Sequence, residues 1–299
     1  MRCAFITAFG FSVYALTALT VAQAPSSDPA LAALLARAGR AADTWVTQFS
    51  AVVAEERLVQ EGGSSSRSLG SDVLLVKLNE SGQLFQFRDV FEVDKRAVRN
   101  RQGRLEALFV GSPATALEQA AQIDRASSAY NLRLDQSGDQ PMQVQRPFHN
   151  MPFAAVGLLQ TSYQSRFRFT RDGPDRRIER GVAVVQYEES TRPTLFGSVG
   201  DGASARDIVA KGRFWLDAES GRATRAELRL DYLHGGRDIV VTSFTFDSSL
   251  QLTVPSEMRT EHYFGRAGSL VRGHATYTRF RRFTVQTDER LSSGPKAKG

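Results

Sequence analysis

The stretch TRAELRLDY, Thr224–Tyr232, alternates strictly between two kinds of side chain after its first residue. Positions 226, 228, 230 and 232 are apolar or aromatic, whereas positions 225, 227, 229 and 231 are charged. Because successive side chains of a strand point to opposite faces of a sheet, this period of two predicts a strand with one buried and one solvated face. The stretch therefore favours an antiparallel sheet, in which one face commonly meets water.

Segments with a similar pattern lie on both sides of this strand. The predicted strands of the second half are Arg166–Thr170, Val182–Glu188, Ile208–Leu216, Asp238–Phe246, Ser256–Phe264 and Leu270–Val285. Those of the first half are Ala51–Val59, Ser71–Leu78 and Leu84–Val93. The predicted turns between strands are Gly62–Ser66, Asn79–Gly82, Asp217–Gly221, His234–Gly236 and Gly265–Gly268, each rich in glycine or polar residues. We expect the Gly62–Ser66 turn to be a long, mobile hairpin tip. The order predicts a long-stranded antiparallel meander.

Two parts of the chain carry helical signals instead. Asp28-Pro29 is a favourable helix start, because an aspartate cap precedes proline at the first helical position. The following apolar residues recur at spacings of three and four and predict one buried helix face: Leu31, Leu34, Leu35, Ala38, Ala42, Trp45, Val46 and Phe49. A helical insert at about residues 101–160 is predicted from Leu105–Phe109, from Pro113 onward, and from Phe153–Leu159.

A long antiparallel sheet must cover its apolar face, either by closing into a barrel or by packing against helices. The N-terminal helix and the helical insert favour the second arrangement. We therefore predict an α+β fold: a curved, open half-barrel with both helical parts packed on its concave face. A cleft between sheet and helices is a common place for a ligand.

Residues 1–24 predict a secretory signal peptide. Arg2 precedes an uncharged, mostly apolar run that ends in Ala22-Gln23-Ala24, and the small residues of this end fit a peptidase site. The alternative is an uncleaved N-terminal membrane anchor. We expect a periplasmic or secreted protein with a single domain over residues 25–291, and a disordered tail at residues 292–299.

The composition excludes several classes of protein. The chain has 299 residues, of which 41% are hydrophobic and 23% are charged. These values exclude a disordered chain, a collagen-like repeat and a multi-pass membrane protein. The single cysteine, Cys3, lies in the predicted signal peptide. The predicted mature chain therefore has no thiol for disulfide, nucleophilic or metal-thiolate chemistry.

The C-terminal third resembles a known family. Gly212–Arg222 contains an Asp-x-x-Ser-Gly turn (Asp217–Gly221), and a later strand begins with Pro255-Ser256-Glu257-Met258. This layout resembles periplasmic lipoprotein-carrier and lipoprotein-sorting proteins and the related envelope-stress sensors. The segments Phe87–Asp94 and Leu105–Phe109 also resemble uncharacterised exported bacterial proteins. The first resemblance implies an open β half-barrel lined for acyl chains, and it carries over no individual functional residue.

The resulting leading hypothesis is a non-enzymatic exported protein that binds a lipid or acyl chain in the cleft, without a cofactor. The candidate cleft residues are Leu228, Leu230, Tyr232, Phe244, Phe246, Met258 and Tyr277. The alternative is an envelope interaction or scaffolding module whose helices plug the cleft. We expect a monomer.

Clustered arginines are the most unusual polar feature of the sequence. The candidates for contact with an anionic lipid, polymer or envelope protein are Arg166, Arg168, Arg279, Arg281 and Arg282. The alternative is a solvated surface in which acidic residues are interspersed. No nucleic-acid motif accompanies the charge, so we expect no nucleic-acid partner.

Catalytic and metal motifs are not recognisable in the sequence. It contains neither a Gly-x-Ser-x-Gly elbow nor a His-Glu-x-x-His pair, and Gly197–Gly202 lacks the lysine of a phosphate loop. His262 and His274 would meet across the Gly265–Gly268 hairpin in only one register, so we expect polar cross-strand pairs there and no metal site. A hydrolase with a dispersed site, including His149 or His234, is a remote alternative.

Overall fold

A computed structural model describes most of the chain. The described residues are 28–49, 52–77, 84–99, 113–134, 142–143, 151–172, 181–196, 198–199, 206–232, 236–264 and 269–282. The predicted signal peptide, the predicted helix around Leu105–Phe109, the residues His149 and His234, and the predicted C-terminal tail lie outside these residues.

Four helices and fifteen strands make up the described part. The helices are α1 Pro29–Phe49, α2 Pro113–Ser128, α3 Ala154–Gly157 and α4 Thr161–Gln164. The strands of the first half are β1 Val52–Gly62, β2 Ser65–Lys77, β3 Leu84–Val93, β4 Arg96–Ala97, β5 Arg133–Leu134 and β6 Met142–Gln143. The strands of the second half are β7 Phe167–Arg171, β8 Val182–Glu189, β9 Ser198–Val199, β10 Arg206–Asp207, β11 Ala210–Asp217, β12 Ala223–Asp231, β13 Arg237–Asp247, β14 Leu252–Phe264 and β15 Ser269–Arg282.

One open, curved antiparallel sheet of eleven strands dominates the fold, in the order β4-β3-β2-β1-β15-β14-β13-β12-β11-β8-β7. Its strands are neighbours in sequence almost throughout, as a meander requires. In the centre of the sheet, β1 pairs with β15, which is not its neighbour in sequence, and this pairing joins the first hairpins to the last ones. The predicted α+β half-barrel is confirmed.

Two strands, β2 and β14, begin several residues earlier than predicted, for identifiable reasons. The predicted five-residue turn Gly62–Ser66 is wrong, because the hairpin closes on Gly63-Ser64 alone, with Gly63 at φ +57°. Strand β14 begins at Leu252 because Pro255 lies at an irregularity of the β13–β14 ladder, where the register shifts after Ser243. Such a position tolerates proline, which cannot donate a ladder hydrogen bond.

The inner face of the sheet, which α1 covers, is defined by one continuous row of paired residues. The row is Leu58, Ala275, Met258, Thr242, Ala226, Phe214 and Val185, each the Cα partner of the next. All seven are buried. Burial of this row against the apolar stripe of α1 forms the hydrophobic core.

Helix α1 begins as its sequence predicts. The Asp28 carboxylate accepts hydrogen bonds from the backbone N–H of Ala30 (2.9 Å) and Leu31 (3.1 Å), which caps the helix. Its stripe from Leu31 to Phe49 is buried. At the end of the helix, the Phe49 ring packs against Phe153, with centroids 4.6 Å apart. The stripe is therefore a packing surface of the core.

Short helix α4 fixes α1 in place. The Thr161 hydroxyl donates to Asp43 on α1 (2.6 Å), and the Gln164 amide donates to the carbonyl of Leu35 (2.9 Å). A Cβ at Gly39 would lie 2.7 Å from that same Gln164 amide, so the two helices approach closely. The hydrogen bonds satisfy polar groups where the helices meet.

A buried polar cluster, here called the Arg88 cluster, lies under helix α2. It consists of Arg88, Glu56, Tyr277 and Asp124. The Arg88 guanidinium donates two bonds to the Glu56 carboxylate (2.5 and 2.7 Å), and the Tyr277 hydroxyl donates a third (2.9 Å). Burial lowers the pKa of Arg88, but the charge and hydrogen bonds of Glu56, together with the charges of Tyr277 and Asp124, raise that pKa overall. Burial also raises the pKa of Asp124, against the opposing effect of Arg88. This arginine is fully engaged inside the protein.

Candidate functional site

A groove, here called the α1 groove, runs beside helix α1. Its walls are one side of α1, helix α3, the turn between β11 and β12, strand β13 and the start of β14. The cavity volume is about 460 Å³, within the range of roughly 300–1,000 Å³ typical of small-molecule sites. The lining residues are Arg37, Ala38, Arg40, Ala41, Ala42, Thr44, Trp45, Gln48, Val156, Leu159, Ser220, Gly221, Arg222, Ala223, Phe244, Gln251, Leu252 and Thr253.

Apolar side chains form the floor of the groove. Trp45 from α1 meets Phe244 from β13 edge to face, with ring centroids 6.4 Å apart. The Trp45 indole N–H donates to the carbonyl oxygen of Thr253 (2.6 Å). This bond fixes the orientation of the ring, and the apolar part of the ring lines the groove. Leu252 and Leu159 are buried beside them. The floor is therefore suited to an apolar ligand.

Gly221 joins the β11–β12 turn to α1. Its φ is +74°, a conformation that favours glycine, and a Cβ there would lie 2.6 Å from the backbone nitrogen of Ala38. The Arg37 guanidinium donates to the carbonyl of Ala218 in the same turn (3.0 Å). These contacts position one end of the groove.

Three arginines surround the groove mouth: Arg37, Arg40 and Arg222. Among the described lining residues there is no aspartate or glutamate. The nearby Asp217 accepts hydrogen bonds from the backbone and hydroxyl of Ser220, which lower its pKa, and the charge of Arg222 lowers it further. The mouth is cationic.

The structure distributes the seven predicted cleft residues over four environments. Leu228, Leu230, Met258 and Tyr277 are buried in the core. Tyr232 is partly buried and donates a hydrogen bond to Asp238. Phe244 lines the α1 groove, and Phe246 is 50% exposed with the Arg222 guanidinium over its ring, 5.4 Å from the centroid.

The predicted anionic-contact arginines lie apart from the groove, and most have partners within the protein. Arg279 pairs with Glu55 (3.0 Å) and Arg281 with Asp72 (2.7 Å). Arg166 lies 3.3 Å from Glu189, and Arg282 donates to the carbonyl of Leu250 (2.9 Å). Arg168 is exposed, with Glu188 as its cross-strand neighbour.

The two histidines within the described residues, His262 and His274, make the polar pairs that the sequence predicts. His262 lies on the inner face and contacts Asp238 (3.0 Å), whereas His274 lies on the outer face and contacts Glu257 (2.6 Å). Their Cα partners are Val271 and Arg259, so the two imidazoles do not face each other. Across the described ranges, no three His, Cys, Asp or Glu side chains form a group that could hold a metal ion.

Sequence reasoning missed the residues of the groove mouth. Arg37 and Arg40 are three apart on α1, and Arg222 directly follows the glycine turn. The spacing on α1 was a usable signal, because residues three apart share a helix face. Their convergence with Arg222 is a long-range contact that no local pattern encodes.

Comparison with known proteins gives remote structural likenesses. A LolA superfamily protein from Nitrosomonas europaea is 11% identical (TM-score 0.38), with coverage of 83% of this chain and 96% of that one. A DUF1329 family protein from Desulfovibrio piger is 9% identical (TM-score 0.45, coverage 88% and 96%). A domain named for outer membrane lipoprotein sorting, from Vibrio parahaemolyticus, is 12% identical (TM-score 0.39, coverage 83% and 95%).

The first and third names agree with the family that the C-terminal sequence resembles, but likenesses this remote carry no inference about function. No protein-family model matches the chain, and no curated protein matches it significantly. Among the described helices, none combines the length and apolar character that crossing a bilayer requires.

Proposed function

We propose that the protein is a non-enzymatic, exported binding protein that holds an apolar ligand, a lipid or acyl chain, in the α1 groove. The observation that carries this proposal is the groove itself, with a floor of Trp45, Phe244 and Leu252 that opens to solvent beside a helix. Burial of each methylene group of a ligand on such a floor contributes about 0.8 kcal/mol.

The floor is built before any ligand arrives. Trp45 is held by its hydrogen bond to Thr253, and α1 is held by the contacts of α4 with Asp43 and Leu35. A preorganised apolar surface loses little conformational entropy on binding. The groove, and not the buried inner face, is therefore where we place the ligand.

A fluorescent acyl probe tests this proposal in the full-length protein with a pair of matched substitutions on α1. Ala41 lines the groove, whereas Ala36 is exposed on another side of the same helix. Ala41→Phe should fill the groove and weaken probe binding at least about tenfold, which corresponds to about 1.4 kcal/mol. Ala36→Phe introduces the same side chain outside the groove and should leave the affinity unchanged.

Native mass spectrometry of protein purified from the periplasm provides a second readout. A co-purified lipid lost in Ala41→Phe and retained in Ala36→Phe would support the proposal. A lipid-free preparation that also fails to bind the probe would contradict it and favour the alternative of an envelope scaffolding module. Equal binding by both variants would also contradict it.

A further inference from the structure

The charge at the groove mouth restricts the kind of ligand further. Arg37, Arg40 and Arg222 are brought to it by α1 and by the β11–β12 turn, and the described lining residues include no acid to balance them. On the outer face, in contrast, arginines such as Arg213 and Arg259 have carboxylates at 2.8 Å. The mouth therefore differs from these outer-face pairs.

Arg37 is oriented but incompletely engaged. Its terminal nitrogen Nη2 donates to the Ala218 carbonyl (3.0 Å), which holds the guanidinium against the turn. Its Nε is buried and donates to no acceptor within the described residues. The hydrogen bond of Arg37 to Ala218 goes to a neutral carbonyl, and none of the described lining residues carries a negative charge, so its guanidinium charge can attract an anionic group.

Arg222 is oriented by the same turn. Its Nε donates to the Ser220 hydroxyl (3.2 Å), and its guanidinium lies over the ring of Phe246 (5.4 Å to the centroid). The adjacent Asp217 accepts the backbone N–H and hydroxyl of Ser220 at one oxygen, Oδ1 (2.7 and 2.6 Å), and its pKa is lowered in part by the charge of Arg222. Both contacts of Arg222 leave its terminal nitrogens available, a geometry that suits bidentate binding of an oxyanion.

The apolar floor continues away from this charged end. Along α1 the lining runs from Arg37 to Gln48, eleven residue steps or about 16 Å at 1.5 Å per residue. Arg37 lies at the start of this length, whereas Trp45 lies two turns further on. The groove therefore has a cationic end and an apolar length, which complements a molecule with one charged end and one chain.

We infer that the ligand of the α1 groove is a single-chain amphiphile with an anionic head group. Arg37 and Arg222 bind the head, Arg40 adds positive charge at the mouth, and the acyl chain lies along α1 towards Trp45 and Phe244. This inference rests on the proposed function and adds the charge and the polarity of the ligand.

Displacement of a neutral fluorescent acyl probe from the full-length protein tests the inference. The competitors are dodecanoate, dodecan-1-ol and dodecyltrimethylammonium, which share a chain and differ in head charge. Dodecanoate should compete at least about tenfold better than the alcohol, since hydrogen bonds to charged groups are worth a factor of about ten or more. The cationic competitor should be the weakest. Inorganic phosphate alone should not displace the probe.

Three arginine variants sharpen the result. Arg37→Gln and Arg222→Gln should each weaken dodecanoate binding about tenfold and leave the alcohol unchanged. Arg259→Gln, on the outer face with a 71% exposed side chain, is the control and should change neither competitor. Circular dichroism shows whether each variant is folded.

The failures of the two proposals are distinguishable. If dodecanoate and dodecan-1-ol displace the probe equally well, the inference of an anionic head group is contradicted, whereas the proposed function still holds. Displacement by inorganic phosphate as strong as by dodecanoate would overturn the amphiphile. A protein that binds no probe and no competitor would overturn the proposed function itself.

Discussion

The Arg88 cluster and the α1 groove use the same residue type in opposite ways. In the Arg88 cluster, the guanidinium is covered by α2 and bound by two hydrogen bonds to the fully buried Glu56. At the groove mouth, the hydrogen bonds of Arg37 and Arg222 go to neutral groups of the β11–β12 turn, the Ala218 carbonyl and the Ser220 hydroxyl. An arginine neutralised inside the protein stabilises the fold, whereas one oriented without a carboxylate partner is available to a ligand.

The difference in how these arginines are bound follows from the position of each one in the fold. Arg88 faces inward from β3, with β2 and β1 between it and the strand of Tyr277, in a region where the inner face carries buried polar side chains. Arg37 and Arg222 lie at the edge of α1, at the groove mouth, where the helix no longer covers the sheet and solvent has access. The comparison predicts that substitutions at the two places affect different properties.

The largest expected effect is on stability in the Arg88 cluster. Glu56→Gln leaves the buried Arg88 charge without its nearest carboxylate and should lower the free energy of unfolding by about 3–5 kcal/mol. Urea unfolding measures the loss. The double variant Glu56→Leu/Arg88→Met removes both charges and should lose less than the single variant. Arg37→Gln should cost below about 0.5 kcal/mol; a cost equal to that of Glu56→Gln would contradict the comparison.

An intermediate effect is expected at Gly221, where the groove is joined to the turn. Gly221→Ala combines the unfavourable φ of +74° with a Cβ 2.6 Å from Ala38 N, so it should lower the free energy of unfolding by about 1–3 kcal/mol. It should also weaken acyl-probe binding, because the turn must move away from α1. Gly63→Ala is the control: its φ is also positive (+57°), but nothing lies within 4 Å of the added Cβ. Unchanged probe binding in Gly221→Ala would show that the turn does not position the groove.

A smaller, pH-dependent effect is expected at Tyr277. Burial raises its pKa well above the ordinary value of 10, so its contribution to stability is present below about pH 10 and is lost as the pH rises towards the folded-state value. Tyr277→Phe should cost about 1–2 kcal/mol at neutral pH, through loss of its bond to Glu56. The cost should shrink above about pH 10, because the unfolded wild-type tyrosine then ionises. Urea unfolding between about pH 8 and about pH 11 measures it, and a constant difference would contradict this account.

The sequence predicts the sheet well because strand periodicity is local. The alternation in Thr224–Tyr232 corresponds to a strand whose residues Ala226, Leu228 and Leu230 are buried. The alternation does not predict whether an apolar residue lies deep in the core or at a groove wall, because both positions give the same sequence pattern. Leu228 in the core and Phe244 in the groove therefore received the same expectation.

The strand bounds and the site were harder to predict for physical reasons. The hairpin at Gly63-Ser64 was read as a longer loop because serines in β1–β2 resemble turn residues. The groove depends on the approach of α1 to residues 218–222, and the contact from Arg37 to Ala218 spans 181 positions of the chain. Tertiary packing determines such a contact, so no local sequence pattern around Arg222 predicts its place at the groove mouth.

Photo-cross-linking with a diazirine-bearing fatty acid tests the central claim most directly. After irradiation of the full-length protein and digestion, mass spectrometry locates the labelled peptides. We expect labels within residues 37–48 of α1 and on the β13–β14 segment from Phe244 to Thr253, and we expect excess dodecanoate or the Ala41→Phe substitution to remove them. Labels spread over the outer face, or labels unaffected by Ala41→Phe, would contradict it.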